Sequence, residues 1–223
     1  MTLPIKKNLI QYKFGNLKLK NSNTGIIFFV LMTVCGFASA GELSVLVIDN
    51  LGQPLENAVV YAEPTSKQPP NMLATLAVEQ KGKKFLPLIS VVQAGARVTF
   101  PNNDTVRHHV YSFSPAKTFE LKLYSGVTAA PVLFDKEGTV VLGCNIHDKM
   151  IAFIQVVNTP YFGKTDASGK FTFKDLPNAQ YALKIWHYAL VKENVVAEQF
   201  LTIKGSDKQT VKLDINPQAL ISK

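Results

Sequence analysis

From Leu43 onward, apolar and polar side chains exchange places at every second position, in runs too short to build a helix-packed core. Phe119, Leu121 and Leu123 interleave with Glu120, Lys122 and Tyr124, and a period of two sends one set to a buried face and the other to water. Comparable runs are Leu43–Ile48, Ala58–Ala62, Leu88–Val92, Arg97–Phe100, His109–Phe113, Pro131–Phe134, Thr139–Leu142 and Ile151–Val157. Farther along, Tyr181, Leu183 and Ile185 share one face, Val195–Ile203 alternates again, and Val211, Leu213 and Ile215 line one side of Thr210–Ile215. The separators are turn formers: Asp49-Asn50-Leu51-Gly52, Asn102-Asn103-Asp104-Thr105, Asp135-Lys136-Glu137-Gly138, Thr165–Gly169 and Leu176–Ala179. Gly, Asn, Asp and Pro supply the backbone conformations that reverse a chain. The pattern dictates an all-β fold. Only the stretch 71–78 fits a helical turn and a strand equally well.

The strands fall into blocks. Residues 75–157 carry the seven or eight strands of a small β-sandwich. The segment ahead of it, 41–66, runs into a proline-rich boundary marked by Pro64, Pro69 and Pro70, and a third section, 158–223, opens with Asn158-Thr159-Pro160.

Residues 1–40 have a different character. Lys6, Lys7, Lys13, Lys18 and Lys20 come without an acidic residue, the apolar run Ile26–Val34 follows, and Ala38-Ser39-Ala40 closes it. That order is a secretory signal peptide with cleavage expected after Ala40, because its apolar run is far shorter than the roughly twenty residues that span a bilayer. The mature chain is expected in the periplasm, with no membrane span after cleavage. Of 24 basic residues, 5 leave with the leader, so 19 face 16 acidic ones and the net charge falls from +8 to +3. So mild a balance, without a basic stripe of interleaved aromatics, argues against nucleic acid as a partner.

Export also isolates one thiol. Cys35 belongs to the leader and Cys144 is the other cysteine of the chain, so the mature protein has no intramolecular disulfide where disulfides normally persist. An unpaired thiol there is either buried and inert or occupied by a metal. Its neighbourhood points to the metal: Cys144-Asn145-Ile146-His147-Asp148-Lys149-Met150 spaces a thiol, an imidazole and a thioether three residues apart, and His108-His109 stands at the end of an upstream turn. One thiolate, two imidazoles in a plane and a weak axial thioether suit copper in both oxidation states. Zinc would accept Cys and His but has little use for thioether sulfur. Cys144 beside His147 also has the spacing of a cysteine nucleophile, though a dyad does not call for Met150. No carboxylate pair or Ser-His arrangement converges on a hydrolytic motif, and the chain is read as a non-enzyme.

The stretches Val98-Thr99-Phe100-Pro101-Asn102-Asn103-Asp104, His108-His109-Val110 and Cys144-x-x-His147-x-x-Met150 resemble a cupredoxin, and residues 75–157 are similar in length and motif order to plastocyanin and amicyanin. The resemblance implies a Greek-key β-sandwich holding one type 1 copper ion with His108, Cys144, His147 and Met150 as ligands. It further implies a one-electron carrier serving a redox partner such as a c-type cytochrome, with electrons leaving by the His147 edge and Val110, Ile146 and Phe113 in the dry surround. Copper delivery without electron transfer and a structural zinc site are the alternatives. Cupredoxins usually place Pro-His-Asn-Val at the first ligand, whereas this chain has Arg107-His108-His109-Val110. Alignment on Val110 makes His108 the ligand, while a contribution from His109 stays open. The flanks, Asp49-x-x-Gly52-x-Pro54-Leu55-x-Asn57-Ala58 and Thr165-Asp166-x-x-Gly169-x-Phe171 through Tyr181-x-Leu183, resemble the two halves of a carboxypeptidase-regulatory-like domain. That places the cupredoxin as an insertion in a second small β-sandwich, an arrangement similar to bacterial methylamine-utilisation proteins. Trp186-His187-Tyr188 reads as an aromatic pair closing a strand, with His187 satisfied locally.

Overall fold

A computed structural model describes residues 40–66, 69, 70, 72, 74–126, 130–190 and 196–215; the expected leader lies outside them. The strands are β1 (Ala40–Ile48), β2 (Val59–Pro64), β3 (Thr75–Ala77), β4 (Glu79–Lys81), β5 (Lys84–Leu86), β6 (Ile89–Gln93), β7 (Ala96–Thr99), β8 (His108–Ser114) and β9 (Lys117–Tyr124). They continue as β10 (Val132–Phe134), β11 (Gly138–Gly143), β12 (Ile151–Val157), β13 (Phe162–Lys164), β14 (Lys170–Pro177), β15 (Gln180–Trp186), β16 (Ala197–Thr202) and β17 (Asp207–Lys212). A single 3-10 turn, Tyr188–Leu190, is the helical element among the described residues. The fold is all-β. None of its described helical residues forms a helix long and apolar enough to cross a membrane.

The middle of the chain builds an inner pair of sheets, in the orders β6-β12-β11-β8-β9 and β10-β7-β3. The β6–β12 and β3–β7 pairings are parallel and the others antiparallel. Between the sheets lies a core that includes Val98, Phe100, Val110, Phe134, Val140, Leu142, Ile154 and Val156. Each fully buried side chain of this size stabilises the fold by about 1.5–3 kcal/mol relative to exposure. The alternation in β11 follows directly, since Val140 and Leu142 are buried while Thr139 and Val141 are partly covered.

The flanking segments build an outer pair, β14-β1-β17 and β13-β2-β15-β16. Its core takes Leu43, Val45 and Val47 from β1, Val60 and Ala62 from β2, Leu183 and Ile185 from β15, and Val211 from β17. Strand β2 shows no alternation because both its faces are covered. Val60 and Ala62 face the outer core, whereas Val59 and Tyr61 join Ile89, Val157 and Trp186 in a third cluster at the junction with the inner sheets.

Two elements went unannounced in the sequence. Strands β4 and β5 form a hairpin whose turn residues Gly82 and Lys83 both take left-handed backbone, with φ of 59° and 57°, the twist that two-residue hairpin loops require. Strand β13 pairs with β2 through Phe162, Gly163 and Lys164. The ambiguous 71–78 stretch contains a strand, β3, and β17 begins at Asp207, three residues before the expected Thr210.

Candidate metal centre

Pairing register brings the candidate ligands to one end of the inner sheet. Gly143, the last residue of β11, stands opposite Ile151 of β12 and opposite Tyr111 of β8. Residues 144–150 are therefore a loop leaving the sheet edge, and β8, antiparallel to β11, brings His108 toward that same end. The Met150 amide donates to the His147 carbonyl at 2.9 Å, which closes the loop on itself.

The ligating atoms of His108, Cys144 and His147 all lie within 4.8 Å of one another. Cys144 Sγ is 3.9 Å from His147 Nδ1, a spacing that two donors about 2.0–2.3 Å from a shared ion can adopt. The His108 and His147 ring centroids are 5.0 Å apart with planes inclined by 59°, so the rings approach edgewise rather than stacking. His108 and Cys144 are buried and His147 half-buried.

His108 is held from behind. Its Nε2 lies 2.9 Å from Asp104 Oδ2, and the same carboxylate accepts backbone N–H groups from Lys83 at 2.8 Å and Thr105 at 2.9 Å. The hydrogen bond from His108, followed by those two amides, draws the Asp104 carboxyl down to about 2. Buried Asn102 fixes the turn itself. Its Nδ2 donates to the carbonyls of Val106 at 2.9 Å and Tyr124 at 2.7 Å, and its Oδ1 accepts the Asp104 amide at 3.0 Å. An Nε2–H donated to Asp104 would leave a lone pair on the other ring nitrogen of His108, Nδ1, which is buried and has no hydrogen-bond partner. Leaving such a group unsatisfied costs about 1–3 kcal/mol; a metal ion in the His108–Cys144–His147 group would satisfy it. The donor set and this unpartnered nitrogen fit a bound metal.

The adjacent histidine goes elsewhere, since successive residues of a strand face opposite sides. His109 Nε2 lies 2.8 Å from Glu120 Oε1, and its ring packs on Tyr111 at 5.5 Å. His109 stands outside the three-donor group. Met150 is buried in the same apolar cluster as Cys144. Val110 belongs to that core as well, whereas Ile146 is exposed and Phe113 is 79% exposed, packed on Tyr111 at 5.2 Å on the outer face. A groove of about 730 Å³ runs from Phe113 and Tyr111 past Cys144 and Asp148 to Ile151.

Asp104, which holds His108, and Asn102, which holds the turn, read in the sequence only as turn formers. The available signal was a carboxylate four residues ahead of a candidate ligand histidine, since metal-ligating imidazoles commonly donate their second N–H to such a group.

Comparison with protein-family models and with curated proteins gives no match. Among solved structures, a purple cupredoxin from Nitrosopumilus maritimus is similar at 20% identity and a TM-score of 0.33, over 38% of this chain and 100% of that one. A reduced amicyanin variant is similar at 22% identity and a TM-score of 0.34, over 44% of this chain and 99% of its own. Pseudoazurin from Hyphomicrobium denitrificans is similar at 24% identity and a TM-score of 0.34, over 43% of this chain and 90% of its own. Each likeness covers less than half of the present chain.

Proposed function

We propose that this chain is an exported type 1 copper protein that carries one electron at a time to and from a redox partner. The observation that carries the proposal is the grouping of His108, Cys144 and His147, whose ligating atoms all lie within 4.8 Å of one another. A copper ion held by this set would alternate between its two oxidation states with the loss or gain of a single electron. His108, anchored by Asp104, and Cys144 keep fixed positions inside the fold, so little has to reorganise when charge changes. Met150, at the end of the same loop, would supply a weak thioether donor. His147 is the more open of the two ring ligands and supplies the edge that faces a partner, for which a c-type cytochrome is the proposed class.

The leader motif supports export to the periplasm. The outer sheets are proposed to be a carboxypeptidase-regulatory-like sandwich interrupted by the cupredoxin, as in methylamine-utilisation proteins. In support, the strands of the outer core come from both sides of the inner block.

Addition of Cu(II) to the purified chain is the test. An intense visible band from thiolate-to-copper charge transfer, lost in Cys144→Ser, is the expected result. Stoichiometric Zn(II) binding with a colourless Cu(II) form would overturn it.

A further inference from the structure

The end of the inner sheets that carries the ligand loop is also rich in exposed cations. The β4–β5 hairpin lies along the turn that holds His108. Gln80 N donates to the Pro101 carbonyl at 2.8 Å, Asn103 N to the Gln80 carbonyl at 2.9 Å, and Lys83 N to Asp104 Oδ2 at 2.8 Å. The tip of this hairpin is Lys81-Gly82-Lys83-Lys84, with all three lysines exposed. Lys81 and Lys84 stand directly opposite each other, and like charges so placed destabilise a strand pair. Exposed Arg107 directly precedes His108, and exposed Lys149 lies in the ligand loop. Among the described residues none of these side chains forms an ion pair, whereas Lys117 and Lys184, on β9 and β15, each meet a carboxylate.

The carboxylates at this end answer only part of that charge. Asp104 is turned to His108 and two amides, Glu79 Oε1 accepts Nδ2–H of Asn103 at 2.9 Å, and Asp148 is exposed in the ligand loop. Apolar surface is open here as well, since Ile146 of the loop is 47% exposed and Val106 of the turn 39%. A small apolar centre with a charged rim is the make-up of a surface on which another protein docks. Unneutralised charge of one sign draws in a partner of the other.

We propose that this end is a docking surface for an acidic protein, whose carboxylates meet Lys81, Lys83, Lys84, Arg107 and Lys149. The inference rests on the electron-carrier reading and deepens it: the redox partner presents a negative face to the half-buried His147. A partner carboxylate set beside Lys81 and Lys84 relieves their mutual repulsion, which nothing in the described fold does. Exposed ion pairs are individually weak in water, so the cluster sets the speed and orientation of encounter more than the affinity. The complex therefore forms fast and parts readily, as a carrier requires, and its formation is screened by salt.

A fluorescent oligo-glutamate peptide, added to the full chain without metal, tests the surface. Anisotropy at about 0.01 M salt, where charges act over about 30 Å, should report binding that fades by about 0.15 M. The triple variant Lys81→Gln, Lys83→Gln, Lys84→Gln should weaken it about tenfold. A control with the same loss of charge on exposed positions of β14 and β17, Lys174→Gln, Lys208→Gln, Lys212→Gln, should weaken it far less. Equal weakening in the two variants, or no binding by wild type, overturns the docking surface. Amide NMR shifts on adding the peptide to wild type need no variant: changes at 81–84, 107 and 146–149 support the surface, and changes confined to the outer sheets overturn it. A chain that sediments with anionic phospholipid vesicles but ignores the peptide has a membrane-facing surface instead, and the proposal falls. Because the peptide is tested without copper, the result is separate from the visible-band test. A blue protein that ignores the peptide loses the docking surface alone, whereas peptide binding by a chain without a blue site keeps the surface and removes its electron-transfer role.

Discussion

Asp104 Oδ2 lies 2.9 Å from His108 Nε2, joining a turn to the first residue of β8. The carboxylate is gripped in its turn by the amides of Lys83 and Thr105, so the imidazole is oriented by a group that cannot swing away. The direction of the His108 ring is thereby set by the fold itself.

Asp104→Ala should therefore weaken metal binding while leaving the fold in place, since Asp104 contributes no apolar packing. A loss of about 10–100-fold in affinity is expected for removal of such an orienting partner. Competition with a chelator of known affinity measures it. Asp104→Asn, which keeps an acceptor oxygen but no charge, should recover part of the loss; equal affinity in all three proteins would refute the anchoring role.

Met150→Leu tests the axial assignment. The side chain is fully buried in the inner core, but a swap of similar volume typically costs less than about 1.5 kcal/mol, so the variant should fold. Loss of a weak sulfur donor disfavours Cu(II) more than Cu(I), and the reduction potential should rise while the visible band persists. Voltammetry of the loaded protein reads the shift. An unchanged potential would leave Met150 as a core residue alone.

How much of this was legible in sequence divides along physical lines. Strand β9 could be read from its alternation because one of its faces is covered and the other wet. Strand β2 resisted that test, being covered on both faces, and its even run of small apolar residues announced a strand without saying what it packed against. The closeness of Cys144 and His147 was legible because their spacing is local. His108 was chosen over His109 by alignment on Val110, while the physical ground of that choice, the face of β8 that each side chain takes, came only with the structure. The β4–β5 hairpin was hidden by polarity. Gln80 is fully buried but donates to the Phe100 carbonyl at 3.0 Å, and nothing in Glu79-Gln80-Lys81 announces a partner twenty residues away.

Gly143 has no room for a side chain. A Cβ there would lie 2.7 Å from Tyr111 Cζ and 2.8 Å from its hydroxyl oxygen, because the tyrosine ring lies against the backbone one residue before Cys144. Gly143→Ala should cost about 1–3 kcal/mol by forcing the ring off its seat, measured by chemical denaturation. Adding Tyr111→Ala should relieve part of that cost, a coupling of about 0.5–3 kcal/mol between residues in contact. Strictly additive effects would show that the ring does not rest there in solution.

His187 makes the junction sensitive to acid. It follows Trp186 at the end of β15, is buried, and accepts the Ala189 amide on Nδ1 at 3.2 Å. Burial pulls its value down to about 4, with a backbone hydrogen bond at Glu56 opposing, so the folded chain keeps the ring neutral where an unfolded chain would protonate it. The unfolded state then binds more protons between roughly pH 6.5 and 4, and stability contributed by the neutral ring falls as pH drops through that window. The full effect is of order 3 kcal/mol. Denaturation midpoints for wild type and His187→Gln, compared from about pH 4 to about pH 7, isolate it. The variant will be less stable near neutrality, since glutamine cannot reproduce the ring's fit, but the gap should narrow steadily toward acid as the wild type loses its advantage. A gap of constant size across the range would mean that His187 remains free to protonate in the folded protein.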